Sequence, residues 1–329
     1  MIEFWAAALA LTLLLYVLLD GFDLGVGMLF GVVRHETSRR HMMQSISPVW
    51  DGNETWLVLA ATILFGAFPL AYSVLLSAFY LPLIVMLASL ILRGVAFEFR
   101  YKSRRFRHVW DVGFAGGSLV ATFMQGMTAG ALVEGLPIKD AHYIGGTFGW
   151  FSPFALLCGA GLCLGYALLG ASWLTSKTEA DVRDFGYRML PWLLGAVLVF
   201  LAAAFGFALA ENLRVLHRWV ERPAMLALPL LGLCACAGLV FAVRRRVDWM
   251  PFAMSAVIFL MAFGTLAASF LPYIVPFQIT IDQVAAPHSS LSFLFWGAGI
   301  VVLPITLIYT LTIYWIFKGK VAIAAAEYD

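Results

Sequence analysis

The chain has 329 residues, of which 62% are hydrophobic and only 12% are charged, and its mean hydropathy is +0.90. A soluble domain contains roughly 25% charged residues, so this composition excludes a soluble globular fold for most of the chain. The formal net charge of +2 comes from basic residues scattered between apolar runs, which does not indicate a nucleic-acid partner. The connections are too short for a nucleotide-binding domain and carry no phosphate-binding loop, which argues against ATP-driven transport by this chain alone.

Nine apolar runs are long enough to cross a bilayer, since a transmembrane helix needs about 17–25 residues. The predicted spans are residues 5–33, 54–70, 73–97, 112–133, 150–174, 190–210, 224–243, 250–271 and 291–317. Pro69 predicts a tight turn that joins the second and third spans as an antiparallel hairpin. We therefore expect an all-α integral membrane protein, with residues 1–329 as a single polytopic domain. Helices 1–4 cover about residues 5–133 and helices 5–9 about residues 150–317.

Basic residues concentrate in alternate connections, and this sets the predicted orientation. One set comprises Arg34, Arg39, Arg40, Arg100, Lys102, Arg104, Arg105, Arg107, Lys177, Arg183, Arg188, Arg244, Arg245, Arg246, Lys318 and Lys320. The opposite connections carry only Lys139, Arg214, Arg218 and Arg222. Cytoplasmic loops are enriched in Lys and Arg. The pattern predicts an odd number of spans, with the N-terminus outside and the C-terminus in the cytoplasm.

The first span contains "LLDGFDLGVGML", in which Asp20 and Asp23 are three positions apart and share a helix face. Carboxyl groups inside a membrane are costly unless protonated, paired or hydrated, so they usually mark a functional site. Gly21, Gly25 and Gly27 provide small surfaces that let another helix approach closely. Two interpretations stay open: the aspartates bond to a neighbouring helix and fix its position, or they have a proton- or cofactor-related role.

The second motif, "SPVWDGNETWLV", stands where the chain enters the second span. Asp51 and Glu54 have the spacing of a helix-capping box, but they also provide titratable steps for protons that enter from the cytoplasm. Trp50 and Trp56 have the character of interfacial anchors. Capping and proton transfer are compatible, and the residues alone do not decide between them.

Further polar residues follow on the third and fourth spans. Arg93 either reaches the interface with its long side chain or pairs with a buried acid. The run from Arg100 to Arg107 predicts a cytoplasmic anchor on anionic lipid. Gln125 predicts a hydrogen bond between two helices.

All six histidines lie in connections or near span ends: His35, His41, His108, His142, His217 and His288. Membrane haem sites commonly use histidine ligands from within the bundle. We therefore expect that this chain does not ligate haem by itself, although methionine ligands stay open. No His and carboxylate spacing indicates a metal site.

The two N-terminal motifs, taken together and in this order, resemble subunit II of cytochrome bd-type quinol oxidases, including the cyanide-insensitive branch. The stretches "SAFYLPLIVMLASLILRGVAFEFR", "SFLPYIVPF" and "VVLPITLIYTLTIYWIFKGK" fit the same family, so the resemblance extends from end to end. It implies two four-helix bundles plus one peripheral helix in the bacterial plasma (inner) membrane. It also implies two partners, a haem-carrying subunit I and a small single-span subunit.

The resemblance further implies an activity and a division of roles. The complex oxidises quinol, reduces O2 to water and generates a proton-motive force with protons taken from the cytoplasm. The b haems and haem d (or a b haem in its place) belong to subunit I, and this chain is not active alone. Some members hold a structural quinone in subunit II, at a site that the sequence does not place.

Single residues can be carried over from the family where they match its motifs. Asp20, Asp23 and Asp51 match family acids, and Asp51 is the candidate for the proton route to the oxygen-reducing haem. Glu54 is a further proton-route candidate on its own chemistry, because it stands at a position where family members can carry Gln. Trp56 stands where the family has an apolar path for oxygen.

A secondary transporter or ion channel is the main alternative, because buried acids in a polytopic bundle also suit transport. Against it, the chain has no detectable internal repeat and no Gly- or Pro-broken helices at matching positions of two halves. A third interpretation is a purely structural subunit that stabilises a haem-bearing partner.

Overall fold

The computed structural model describes residues 1–103, 105–211 and 214–321. Its helices are α1 (Ile2–Val32), α2 (Glu36–Ile46), α3 (Trp50–Ala67), α4 (Pro69–Lys102), α5 (Arg107–Glu134), α6 (Pro153–Lys177), α7 (Ala180–Ala210), α8 (Arg214–Glu221), α9 (Ala227–Arg245), α10 (Met250–Phe270), α11 (Ile281–Val284), α12 (His288–Leu294) and α13 (Ile300–Ile316). A 3-10 turn over Pro223–Leu226 precedes α9, and a π-helical turn over Phe295–Gly299 joins α12 to α13. Two short antiparallel hairpins pair β1 (Ile138–Lys139) with β2 (His142–Tyr143) and β3 (Tyr273–Val275) with β4 (Ile279–Thr280).

The predicted all-α membrane fold is confirmed. Within the described part of the chain, seven helical segments are long and apolar enough to cross a membrane: Ile2–Val32, Pro69–Lys102, Pro153–Lys177, Ala180–Ala210, Pro223–Arg245, Met250–Phe270 and His288–Ile316. The second and fourth predicted spans are also helical, as α3 and α5, but contain more polar residues. The number of spans and their orientation stay predictions.

Several helices extend beyond the apolar runs. The sixth predicted span starts at residue 190, whereas α7 starts at Ala180. Hydropathy marks the part of a helix that fits the hydrocarbon layer, and backbone hydrogen bonding continues the helix beyond it. A search for apolar runs also misses α2 and α8, because the sequences of these two helices are polar.

The long helices form two groups. Helix α1 packs on α3 and α5, and α4 packs on α3 and α5, which makes the first group. The second group consists of α6, α7, α9 and α10, and α6 joins the groups by packing on α1 and α5. None of the residues of α13 is buried. This arrangement agrees with two four-helix bundles and a peripheral helix.

Phe68 alone separates α3 from α4, so these helices form the hairpin predicted from Pro69. Within α4, Phe79 has non-helical backbone angles, and Pro82 follows three residues later. Proline cannot donate the backbone hydrogen bond of the helix and clashes with the preceding turn. Pro82 therefore accounts for the kink in α4.

The glycines of the first motif lie at the tightest helix contacts. A Cβ atom on Gly25 would lie 1.8 Å from the backbone oxygen of Tyr166 and 2.9 Å from the backbone nitrogen of Gly170 on α6. A Cβ on Gly21 would lie 2.8 Å from the Tyr166 ring. On the neighbouring face, Gly27 meets Ser118 of α5. Only glycine leaves room for helices to approach this closely.

Candidate functional site

Arg93 lies at the centre of a buried ion-pair cluster that joins three helices. Its Nη1 donates to Oδ1 of Asp20 on α1 at 3.2 Å and to Oε1 of Glu54 on α3 at 2.6 Å. Arg93 and Asp20 are completely buried, whereas the side chain of Glu54 is 26% exposed. The sequence left two interpretations of Arg93 open. In the structure, Arg93 pairs with these two acids and does not reach the interface. Its guanidinium also lies 5.9 Å from the ring centre of Trp50.

Several polar atoms of this cluster have no hydrogen-bond partner among the described residues. They are Oδ2 of Asp20, Oδ1 of Asp23, and Nε and Nη2 of Arg93. Buried polar groups are normally hydrogen-bonded to protein or ordered water. Water or groups of a neighbouring chain are the usual partners of such atoms.

Asp23 is held by an amide one helix away. The side-chain Nδ2 of Asn53 donates to Oδ2 of Asp23 at 2.6 Å and to the carbonyl oxygen of Leu19 at 3.2 Å. The hydroxyl of Tyr314, on α13, donates to Oδ1 of Asn53 at 3.0 Å. The peripheral helix is thereby linked through Asn53 to a buried acid of the first helix.

Gln125 makes the contact between helices that the sequence predicted. Its Nε2 donates to the hydroxyl of Tyr16 on α1 at 2.7 Å, and its Oε1 accepts from the hydroxyl of Tyr166 on α6 at 3.1 Å. Tyr16 lies one turn from Asp20, so this branch extends the polar interior towards the N-terminal end of α1. The sequence does not point to either tyrosine, because tyrosine in an apolar run usually belongs to the membrane interface.

Asp51 and Glu54 do not form a capping box, so that interpretation is wrong. The N-cap residue is Val49, whose side chain makes no capping hydrogen bond. Glu54 instead points to Arg93, while Asp51 is exposed in the first turn of α3. Trp56 is completely buried, and its Nε1 has no partner among the described residues, so it is not an interfacial anchor.

A second ion-pair cluster corrects the prediction of a lipid anchor over residues 100–107. Arg100 is 1% exposed and binds both oxygens of Glu36 and one oxygen of Asp111. Arg39 donates to the other oxygen of Asp111 at 2.7 Å. The sequence alone did not reveal that α2 brings its charged residues to Arg100 of α4 and Asp111 of α5. Lys102 and Arg105 are exposed as expected, and Arg104 lies outside the described residues.

The histidines lie outside the membrane-spanning segments that the sequence predicted. His41 is buried on α2, and its Nε2 lies 3.0 Å from the carbonyl oxygen of Val321. His35, His108, His142, His217 and His288 are not buried. Over the described ranges, no group of three or more His, Cys, Asp and Glu side chains could hold a metal ion.

The architecture is that of a polytopic membrane protein with acids and arginines buried between its helices. The family of cytochrome bd terminal oxidase subunit II matches residues 1–317, and the chain belongs to this family. It is 29% identical to cytochrome bd-I ubiquinol oxidase subunit 2 of Escherichia coli (strain K12), over 96% of this chain and 94% of that one. It is 28% identical to cytochrome bd ubiquinol oxidase subunit 2 of Bacillus subtilis (strain 168), over 97% and 96% of the chains.

The fold is also similar to a solved structure, the bd oxidase from Geobacillus thermodenitrificans. The TM-score is 0.78 at 16% identity, and the match covers 96% of this chain and 99% of that one. As a member of its family, the chain is a multi-pass subunit of a haem-dependent respiratory quinol oxidase in the bacterial inner membrane. Membership implies a partner, subunit I.

Proposed function

We propose that this chain supports the haem-carrying subunit I and supplies protons from the cytoplasm to its oxygen-reducing haem. The observation that carries the proposal is the cluster of Asp20, Glu54 and Arg93 in the membrane interior. Acids buried in membrane proteins usually mark functional sites, and proton relays are one of the main kinds. Asp23 lies one turn from Asp20 and adds a further acid to the same region.

The stoichiometry of quinol oxidation and O2 reduction determines how many protons are released and consumed. Two quinols release four electrons and four protons, and one O2 takes up four electrons and four protons to give two waters. When the consumed protons come from the cytoplasm and the quinol protons leave outside, the reaction separates charge across the membrane. The haems of subunit I carry the electrons, so this chain contributes proton supply and is not active alone.

The order of the acids supports a route. Asp51 is exposed at the start of α3, Glu54 lies one turn further into the membrane, and Arg93 connects Glu54 to Asp20. The side chain of Glu54 is partly exposed on the outer face of α3, where contact with lipid would be unfavourable for a carboxylate. We therefore place subunit I against this face of α3, where it covers Glu54 and receives the protons.

Oxygen access is a separate part of the proposal. Trp56 of α3 is completely buried, and we propose that its large ring forms part of an apolar path for oxygen. Replacement by leucine should change the KM for O2 more than the KM for quinol. Equal changes in both constants would assign Trp56 to packing alone.

The cofactors and remaining partners follow from the family. We propose that the b haems and haem d (or b) reside in subunit I, that a small single-span subunit completes the complex, and that any quinone in this chain is structural. Membrane lipids surround the assembly. Haem spectra of the purified complex, with each subunit dissociated in turn, assign the haems to a chain.

The test of the proton role uses Asp51→Asn and Glu54→Gln in the assembled complex, with Thr55→Val as the control. Thr55 is exposed on the same helix, and its hydroxyl bonds to the backbone oxygen of Asp51. In proteoliposomes that contain equal amounts of assembled complex, each acid variant should slow O2 reduction and proton uptake together at least about tenfold, with the haem content of each assembled complex unchanged. Normal uptake in both variants would show that protons take another route.

A further inference from the structure

A cavity of about 350 Å³ lies at the end of the molecule where the basic connections gather. It is lined by the end of α2 and its connection to α3, by the C-terminal end of α6, and by the end of α13 with the segment that follows it. The residues that line it and enter the argument are Gln44, Trp173, Lys177, Tyr314, Phe317 and Lys320. It is separate from the Arg93 cluster, none of whose side chains lines it.

Lys177 is the unusual member of this lining. The residue is 8% exposed, yet the ion pairs of the described chain include none for its ammonium group. Its Nζ donates to the carbonyl oxygen of Phe317 and lies 5.0 Å from the ring centre of Trp173. An ammonium has three donors, so two remain for another partner. A buried charge is normally paired, so an anion is the kind of partner that suits this ammonium group.

The rest of the lining suits an anionic oxygen group beside an apolar one. Lys320 lines the cavity and donates to Oδ2 of Asp248 at 2.6 Å, which fixes its position at the rim. Gln44 adds a half-buried amide that makes no side-chain hydrogen bond within the described residues. Trp173, Tyr314 and Phe317 provide aromatic walls. Two ammonium groups and an amide are donors, and donors recognise phosphate oxygens.

We infer that this cavity binds a phosphate group, with Lys177 as the main ligand and Lys320 and Gln44 as further donors. The phosphate comes either from the head group of an anionic lipid or from free inorganic phosphate, since both present the same oxygens. The inference does not depend on the proton role proposed for the Arg93 cluster. Occupancy also tethers the segment after α13 to α6, where the backbone nitrogen of Val321 already bonds to the carbonyl of Lys177 at 2.8 Å.

The test uses the purified oxidase complex, washed with detergent and then supplied with one probe at a time. Phosphatidylglycerol is the lipid probe, diacylglycerol has similar tails without phosphate, and inorganic phosphate is the soluble probe. Native mass spectrometry counts retained lipid, and the midpoint of thermal unfolding reports phosphate binding. Lys177→Met should weaken binding at least about tenfold, as expected for loss of a charge-assisted hydrogen bond, while Lys177→Arg should retain it.

Two further variants keep the test decisive. Gln44→Leu removes a donor without touching the bond between Lys177 and Phe317, so it should weaken binding even if Lys177→Met fails to assemble. Lys318→Met removes a neighbouring exposed charge that does not line the cavity, and it should leave binding unchanged.

The outcomes separate the sources of the phosphate. Retention of phosphatidylglycerol that depends on Lys177 or Gln44 supports a lipid head group, and a dependent stabilisation by inorganic phosphate supports the free anion. Binding that is equal in all variants, or equal for diacylglycerol, would overturn the inference.

Discussion

Arg93 and Asp20 form an ion pair whose two side chains are completely buried, with Nη1 and Oδ1 3.2 Å apart. A guanidinium cannot lose its proton in a protein, so Arg93 needs a negative partner at all times. Glu54, 2.6 Å from the same nitrogen, is a second partner. The two acids are therefore partly interchangeable as counter-ions, and their loss should not be additive.

The ion-pair cluster can be tested by single and double substitutions. Asp20→Asn and Glu54→Gln should each lower the yield of assembled complex only moderately, because Arg93 keeps one acid. The double variant should give a far lower yield of assembled complex than the product of the two single-variant yields. Arg93 would then have no acidic partner, and breaking a buried pair costs about 3–5 kcal/mol. The measurement is the haem content of purified complex per milligram of membrane protein. If the yield of the double variant equals the product of the two single-variant yields, the two acids do not substitute for each other as partners of Arg93. Asp51→Asn is the control for loss of an exposed acid.

The close approach of α1 and α6 predicts strong sensitivity at Gly25. Gly25→Leu should sharply lower the amount of assembled complex, and Gly25→Ala should do so less, because even a Cβ would overlap the backbone of Tyr166. Overpacking costs typically about 1–3 kcal/mol and more against backbone. Gly116→Ala is the matched control, since a Cβ added there would meet nothing within 4 Å. Normal assembly of Gly25→Leu would refute the packing role.

Substitutions of Asn53 and of Tyr314 should lower the thermal stability of the complex by different amounts. Asn53→Leu removes the donor to Asp23 and should lower the thermal midpoint of the complex, because an unsatisfied buried acceptor costs about 1–3 kcal/mol. Tyr314→Phe removes only the outer hydrogen bond and should cost about 1 kcal/mol. Haem absorbance during heating gives both midpoints. A larger effect of Tyr314→Phe would mean that the peripheral helix, and not Asp23, depends on this link.

Asp248 predicts a pH dependence outside the membrane-spanning segments. Partial burial raises the pKa of Asp248, but the hydrogen bonds from Lys320 and Tyr187 and the charges of Lys320 and Arg183 outweigh it, so the pKa lies below its usual value. A lowered pKa stabilises the folded state above the usual aspartate pKa of about 4. That stability is lost as pH falls through the folded value.

The difference in thermal midpoint between the native chain and Asp248→Asn should therefore be constant from neutral pH to about pH 5 and shrink below about pH 4. Asp181→Asn, an exposed acid in the first turn of α7, is the control. A difference that grows on acidification would show that Asp248 is destabilising.

Composition and motifs were enough to predict the class of fold and the family. A membrane leaves no water to satisfy backbone groups, so each long apolar run must become a helix, and α1, α4 and α10 follow that rule. The motifs around Asp20 and Asp51 indicate the family because they combine acids and glycines in a segment that otherwise favours lipid. Gln125 could be predicted as a contact between helices because a lone amide in an apolar run needs a partner.

Which charged groups meet depends on the packing of the helices. Hydropathy does not encode how a helix is rotated or which helix is its neighbour, so the sequence leaves the pairing of Arg93 with Asp20 and Glu54 open. For the same reason the run that contains Arg100 predicts a lipid contact, although Arg100 is buried against Glu36 and Asp111. A buried charge is stabilised by polar or oppositely charged groups within a few ångströms of it. Which groups come that close depends on the packing of segments that are far apart in the chain.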